Sequence, residues 1–144
     1  MTPYLLDVNV LLSLTWEDLE SHSKVRRWFL STGRRSYATC PLTQAGFVRI
    51  SSSPRVLPKP ASMRDALEIL RQLTEAKGHI FWPLDLPLRE ATTFCAEKLF
   101  GPNQLTDAYL LGLAIAKGGT LVTLDRGIVQ LASAALAGHV LLLE

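Results

Sequence analysis

Residues 105–127, LTDAYLLGLAIAKGGTLVTLDRG, contain a helix, a turn and a strand in immediate succession. The apolar run predicts a helix over residues 107–117, and the Gly118-Gly119 pair ends it. Residues 120–124 are β-branched or apolar, which predicts a buried strand. Asp125 follows this strand directly. The segment therefore indicates an α/β unit with a carboxylate at the carboxyl end of its strand.

The rest of the chain repeats this alternation of short apolar strands with helices. Strands are predicted at residues 4–6, 36–39, 79–82 and 140–143, and helices at 18–30, 42–50, 62–78 and 87–99. A short helix before the last strand completes the pattern, and no internal repeats occur. Such alternation is typical of a mostly parallel sheet covered by helices. We expect one α/β domain over residues 1–144, a three-layer sandwich around about five strands.

Composition excludes disorder and shows a divided charge. Apolar residues make up 48% of the 144 residues and charged residues 19%, enough apolar surface for a stable core. Residues 21–64 contain nine basic and no acidic residues, whereas the remainder contains six basic and thirteen acidic ones. The net charge of +2 thus combines +9 with −7. This division suggests a polyanionic partner beside an acidic pocket.

The ends and the cysteines favour a cytoplasmic location. The first residues lack the basic segment of a signal peptide, and the charge-free stretch 127–143 is shorter than a membrane-spanning helix requires. Cys40 and Cys95 have no neighbouring cysteine or histidine in sequence. We therefore expect two reduced thiols and no membrane association.

Three carboxylates are predicted to share one edge of the sheet. Asp7 follows the first strand, Asp125 follows the fourth, and Asp107 lies in a first helical turn that Thr106 is expected to cap. Carboxyl ends of parallel strands and the helix starts that follow them meet at the same edge. Taken singly, Asp107 also suits a helix start and Asp125 a turn. Together, they suggest a site for Mg²⁺ or Mn²⁺, because converging carboxylates repel without a cation.

The motifs around these acids carry a resemblance to a known family. LLDVNVLL (5–12), LTDAYLLGLA (105–114) and LVTLDRG (121–127) resemble the PIN-domain ribonucleases, in particular the VapC-type toxins of prokaryotic toxin–antitoxin pairs. The resemblance implies the strand order 3-2-1-4-5 and metal-dependent cleavage of RNA, with tRNA or rRNA as the target. It also implies a homodimer and a cognate VapB-like antitoxin.

The same resemblance assigns roles to individual residues. It assigns metal binding and catalysis to Asp7, Asp107 and Asp125, and supporting roles to Asn9, Thr106 and Thr123.

One position departs from the family pattern. Where these enzymes usually have a glutamate after the second strand, the segment PLTQAGFVRI (41–50) has Gln44. An amide forms hydrogen bonds but contributes no charge to a metal. We expect a working enzyme with weaker metal binding, and Gln44→Glu to tighten it.

Four arginines are candidates for contact with RNA or with an antitoxin. Arg34 and Arg35 are predicted on a turn, Arg49 on the helix of Gln44, and Arg126 beside Asp125. Basic side chains in these places can grip a phosphate backbone, whereas a solvated helix face is the simpler interpretation of Lys24, Arg26 and Arg27.

The leading functional hypothesis is a Mg²⁺- or Mn²⁺-dependent endoribonuclease. The alternative is a catalytically weak or inactive PIN domain that acts as an RNA-binding or regulatory protein. Gln44 is the only residue in the sequence that supports this alternative. A phosphoryl-transfer receiver protein built around Asp7 ranks third, because a second acid beside Asp7 and a late lysine are missing.

Overall fold

A parallel five-stranded sheet forms the centre of the molecule. The computed structural model describes residues 2–99 and 101–144. The strands are β1 Tyr4–Leu6, β2 Tyr37–Thr39, β3 His79–Phe81, β4 Thr120–Thr123 and β5 Val140–Leu142. The α-helices are α1 Val8–Thr15, α2 His22–Ser31, α3 Pro41–Ser51, α4 Met63–Glu75, α5 Leu88–Thr92, α6 Leu105–Ala116 and α7 Arg126–Val129. Short 3₁₀ helices span Gly33–Arg35, Thr93–Lys98, Pro102–Gln104 and Ala134–His139.

The strand order is β3-β2-β1-β4-β5, with every neighbouring pair parallel. This confirms the order expected from the family resemblance. Leu6 of β1 pairs with Val122 of β4, so the two strands end side by side. The chain therefore leaves the sheet at two adjacent points on one edge.

Helices cover both faces of the sheet, as the three-layer prediction required. Successive strand residues point to opposite faces: Leu5 and Leu121 pack against α5 and α6, while Leu6 and Val122 pack against α1 to α4. All four side chains are fully buried. The two apolar layers thus hold the central strands β1 and β4 from both sides.

Several predicted boundaries need correction. No helix was predicted directly after Asp7, but α1 begins at Val8. The helix α6 begins at Leu105, so Thr106 lies in its first turn and does not cap it. The predicted helix over 87–99 is a short α5 followed by a 3₁₀ helix, and the one predicted to reach residue 78 ends at Glu75.

Two glycines meet close geometric demands around α6. A Cβ at Gly112 would lie 1.8 Å from the carbonyl oxygen of Ala91, so only glycine lets α5 approach α6 this closely. Gly118 has φ +68° just after α6, a conformation that glycine adopts without strain.

Both cysteines, Cys40 and Cys95, are free and buried. Among the described residues, no helix is long and apolar enough to cross a membrane.

Candidate active site

Asp7 is a buried carboxylate at the end of β1. Its side chain caps α1: Oδ1 accepts from the backbone N–H of Val8 at 2.8 Å. Its Oδ2 accepts from the hydroxyl of Thr123 at 2.7 Å. Burial raises the pKa of Asp7, and the hydrogen bonds from Thr123 and Val8 oppose that rise. Hydrogen bonds to both carboxylate oxygens therefore fix the position of Asp7, while burial still makes its negative charge unfavourable.

Thr123 and Asn9 join the ends of β1 and β4. Besides donating to Asp7, the Thr123 hydroxyl accepts from the backbone N–H of Asp125 at 3.0 Å. The Asn9 amide lies 3.5 Å from the same hydroxyl, and its Oδ1 accepts from the backbone N–H of Leu124 at 3.3 Å. Two of the polar residues predicted to support the acids thus hold the chain in place on both sides of the site.

Asp107 and Asp125 complete the set of acids. Asp107 lies in the first turn of α6, and Asp125 caps α7 by accepting from the backbone N–H of Gly127 at 2.8 Å. Burial raises the pKa of Asp107 to about 6, with further contributions from the charges of Asp7 and Asp125. The charge of Asp125 also raises the pKa of Asp7. The three carboxylates are therefore close enough to repel one another.

No cation within the described protein relieves this repulsion. The ion pairs of residues 2–99 and 101–144 involve none of the three acids, and Arg126 instead pairs with the exposed Glu144 at 3.2 Å. In the same residues, no three His, Cys, Asp or Glu side chains are arranged as a ready-made metal site. The donor set consists of oxygens alone and carries unbalanced negative charge, which fits a hard, hydrated divalent cation.

The side chain of Gln44 on α3 hydrogen-bonds to β2. Its amide donates to the hydroxyl of Thr39 at 3.0 Å, and that hydroxyl lies 2.7 Å from Nε2 of His79. Burial lowers the pKa of His79, so the neutral ring can accept from Thr39. The structure directs Gln44 toward β2 and β3 and gives it no hydrogen bond to the acids in the part it describes.

Sequence reasoning missed a cavity of about 390 Å³ beside the acids. Its lining residues come from α1, α3 and α6: Val8, Leu42, Ala45, Gly46, Arg49 and Thr106. The helical spacing of residues 42, 45, 46 and 49, which places them on one face of α3, could have indicated this cavity from the sequence. Arg49 and Thr106, both named from sequence, thus meet at one place.

The other basic candidates are placed differently. Arg34 and Arg35 form a turn before β2, at the amino edge of the sheet, so they lie at the edge opposite the acids. Arg126 lies next to Asp125 but is ion-paired and largely exposed. Of the four arginines, Arg49 alone lines the cavity next to the acids.

Comparison with known proteins agrees with this architecture. The family model described as "PIN domain" matches residues 4–134. The chain belongs to the PIN-domain family. Ribonuclease VapC38 of Mycobacterium tuberculosis is 42% identical over 128 residues, covering 89% of each chain. This confirms the resemblance to VapC-type PIN ribonucleases.

Solved structures show the same fold at low sequence identity. PAE2754 from Pyrobaculum aerophilum matches with a TM-score of 0.63 and 20% identity, over 96% of this chain and 83% of that one. VapBC2 from Rickettsia felis, bound to a DNA fragment from its promoter, matches with a TM-score of 0.54 and 15% identity, over 85% and 87% of the two chains.

Proposed function

We propose that this PIN domain is a metal-dependent endoribonuclease and the toxin of a toxin–antitoxin pair. The observation that carries the proposal is the convergence of Asp7, Asp107 and Asp125: the charge of Asp125 raises the pKa of Asp7, and the charges of Asp7 and Asp125 raise the pKa of Asp107. The family match and the VapC38 relative, which is named a ribonuclease, support nuclease activity. The basic segment 21–64 supports a polyanionic substrate.

Asp7, Asp107 and Asp125 would hold Mg²⁺ or Mn²⁺, which when bound neutralises charge on a phosphate and lowers the pKa of a water molecule. Asp7 is already oriented for this role by Thr123 and Val8. Each of its oxygens accepts one hydrogen bond and keeps a lone pair for a further partner.

The supporting residues position the acids. Thr123 holds Asp7 on one side and the backbone of Asp125 on the other, so it sets the spacing of two carboxylates. Asn9 restrains the turn after β4 through Leu124. Thr106 precedes Asp107 and faces the neighbouring cavity.

The proposal extends to partners and targets. Toxin–antitoxin complexes among the structural neighbours support a VapB-like antitoxin. The family implies a homodimer, and tRNA or rRNA as substrate. The two free buried thiols agree with a cytoplasmic location.

Measuring RNA cleavage by the Asp7→Asn variant tests this proposal. Asparagine caps helices as well as aspartate does, so α1 keeps its cap, and circular dichroism checks that the fold is retained. We expect Mn²⁺-dependent cleavage of total tRNA or rRNA by the wild-type chain to fall at least a hundredfold in this variant. Asp65→Asn is a matched control, because Asp65 is exposed on α4, and it should retain wild-type activity.

Two results would overturn the proposal. One is full activity in folded Asp7→Asn. The other is wild-type protein that binds RNA in a salt-dependent manner but shows no turnover with either metal, which would favour the non-catalytic alternative.

A further inference from the structure

The cavity beside the acids opens next to two of them. Val8 follows Asp7 in the chain, and Thr106 precedes Asp107, and both line the cavity. A substrate group that enters the cavity would therefore lie near a phosphate held at these carboxylates. At about 390 Å³, the cavity is large enough for part of a nucleotide.

The shape of the cavity depends on close packing of α3 against α1. A Cβ at Gly46 would lie 2.6 Å from Cγ2 of Val8, so glycine lets the two helices meet along this line. Leu42 and Ala45 on the same face of α3 are exposed, with Leu42 37% accessible. The walls are thus apolar and open to solvent, as a surface that receives a ribose or a base requires.

Arg49 supplies positive charge at the cavity. It is exposed and takes part in none of the ion pairs or side-chain hydrogen bonds identified in the described chain. The Arg49 guanidinium is therefore available for an external anion, and its planar donors match phosphate oxygens. The Thr106 hydroxyl adds a neutral hydrogen-bonding group on the opposite wall.

We infer that this cavity is a subsite for the RNA nucleotide that adjoins the cleaved phosphodiester. Arg49 binds the phosphate of that nucleotide, Thr106 hydrogen-bonds to it, and its ribose or base packs on Val8, Leu42 and Ala45. The inference rests on the proposed ribonuclease function, since it needs an RNA chain held at the acids. It makes Arg49 a substrate-binding residue rather than part of a generally basic surface.

The test measures binding separately from cleavage. In the Asp7→Asn background, a fluorescein-labelled single-stranded RNA is titrated at several salt concentrations with and without Arg49→Ala. Loss of one phosphate contact lowers the slope of log K against log salt by about 0.7 and weakens binding about fivefold at 0.1 M salt. Arg89→Ala is the matched control, because Arg89 is exposed on α5 across the sheet, and it should leave the slope unchanged.

A second variant tests the walls without changing the charge. Ala45→Leu adds apolar volume at an exposed position of the cavity, and we expect weaker RNA binding with the salt slope retained. In the Asp7-containing protein, both variants should raise KM more than they lower kcat.

The outcomes separate the two proposals. If wild-type protein cleaves RNA but Arg49→Ala leaves the slope unchanged, or changes it only as much as Arg89→Ala does, the subsite is refuted and the nuclease stands. If the slope falls as expected but no metal supports cleavage, the nuclease proposal fails while the binding site stands.

Discussion

Replacing Thr123 by valine should destabilise the protein and disturb the acids together. Valine has nearly the same shape as threonine but lacks the hydroxyl. That hydroxyl donates to Oδ2 of Asp7 at 2.7 Å and accepts from the backbone N–H of Asp125 at 3.0 Å. Both Thr123 and Asp7 are buried, at 0% and 6% exposure. Water therefore cannot readily replace what the substitution removes.

The magnitude follows from the two lost contacts. A hydrogen bond to a charged group contributes about 1.5–3 kcal/mol, and a buried partner left unsatisfied costs a similar amount. We expect the free energy of unfolding to fall by about 3 kcal/mol at neutral pH. In a domain of this size, that corresponds to a fall in Tm of roughly 6–12 °C.

The cost should also depend on pH. Burial raises the pKa of Asp7 above its value in the unfolded chain, and the Thr123 hydrogen bond opposes this rise. Without that bond, the pKa of Asp7 rises further, and the buried charge costs more above it. Acidification protonates Asp7 and relieves the cost, so the difference between variant and wild type should shrink as pH falls.

Urea denaturation followed by circular dichroism, from pH 7.5 to pH 4 and with a chelator present, measures this difference in the free energy of unfolding. Thr120→Val is the matched control, because the Thr120 hydroxyl on the same strand donates only to the neutral carbonyl of Gly138 at 3.2 Å. Its loss should cost about 1 kcal/mol at every pH. Equal costs for both variants, or a cost in Thr123→Val that does not change with pH, would refute this account of Asp7.

Three further predictions test other parts of the structure. Burial raises the pKa of Asp107 from its ordinary value of 3.8 to about 6 in the folded protein. The folded state therefore binds more protons than the unfolded chain between pH 4 and 6, and metal-free wild type loses stability as pH rises through that range. Asp107→Asn should therefore be more stable than wild type at pH 7.5 in chelator, by only about 1 kcal/mol because solvent screens part of the shift. Below pH 4 the two proteins should be equally stable, and lower stability of the variant at pH 7.5 would contradict this account. Gly112→Ala places a Cβ 1.8 Å from a carbonyl oxygen of α5 and should lower the free energy of unfolding, measured by thermal denaturation, by about 3 kcal/mol. Gly138→Ala has open space around its Cβ and should lower it little, and equal losses would argue against tight α5–α6 packing. Because Gln44 donates to Thr39, Gln44→Glu should cost about 1 kcal/mol and, contrary to the expectation from sequence alone, leave Mn²⁺ affinity by calorimetry unchanged. Tighter Mn²⁺ binding would support that earlier expectation and show that residue 44 reaches the acids.

The positions of the acids were predictable because they depend on topology. Strand alternation indicates a parallel sheet, and a parallel sheet brings strand ends to one edge. Asp7 and Asp125 follow adjacent strands for that reason, and no detailed packing was needed to expect them together. The order of the five strands came from the family resemblance instead, since alternation alone is compatible with several orders.

Other features depend on tertiary contacts that sequence patterns do not express. The helix α1 was missed because its residues are apolar on several sides, with Val10, Leu11 and Leu12 all buried, so no polar face marks a helical period. The direction of Gln44 depends on how α3 is rotated about its axis. Close packing of Gly46 on α1 sets that rotation, and the spacing of residues within α3 does not reveal it.

The strands β1 and β4 lie side by side and end at the same edge of the sheet, which limits how the site can be inactivated. The backbone N–H of Asp7 donates to the carbonyl of Val122 at 3.0 Å, and the N–H of Leu143 donates to that of Thr123 at 3.0 Å. The Asp7 amide belongs to the buried centre of the sheet, where hydrogen exchange proceeds through global unfolding, whereas Leu143 follows the edge strand β5. The acids therefore cannot separate through a local fluctuation at low cost. Reversible control of this site requires something placed over it, and exchange rates at Asp7 should match those of the most protected amides in the protein.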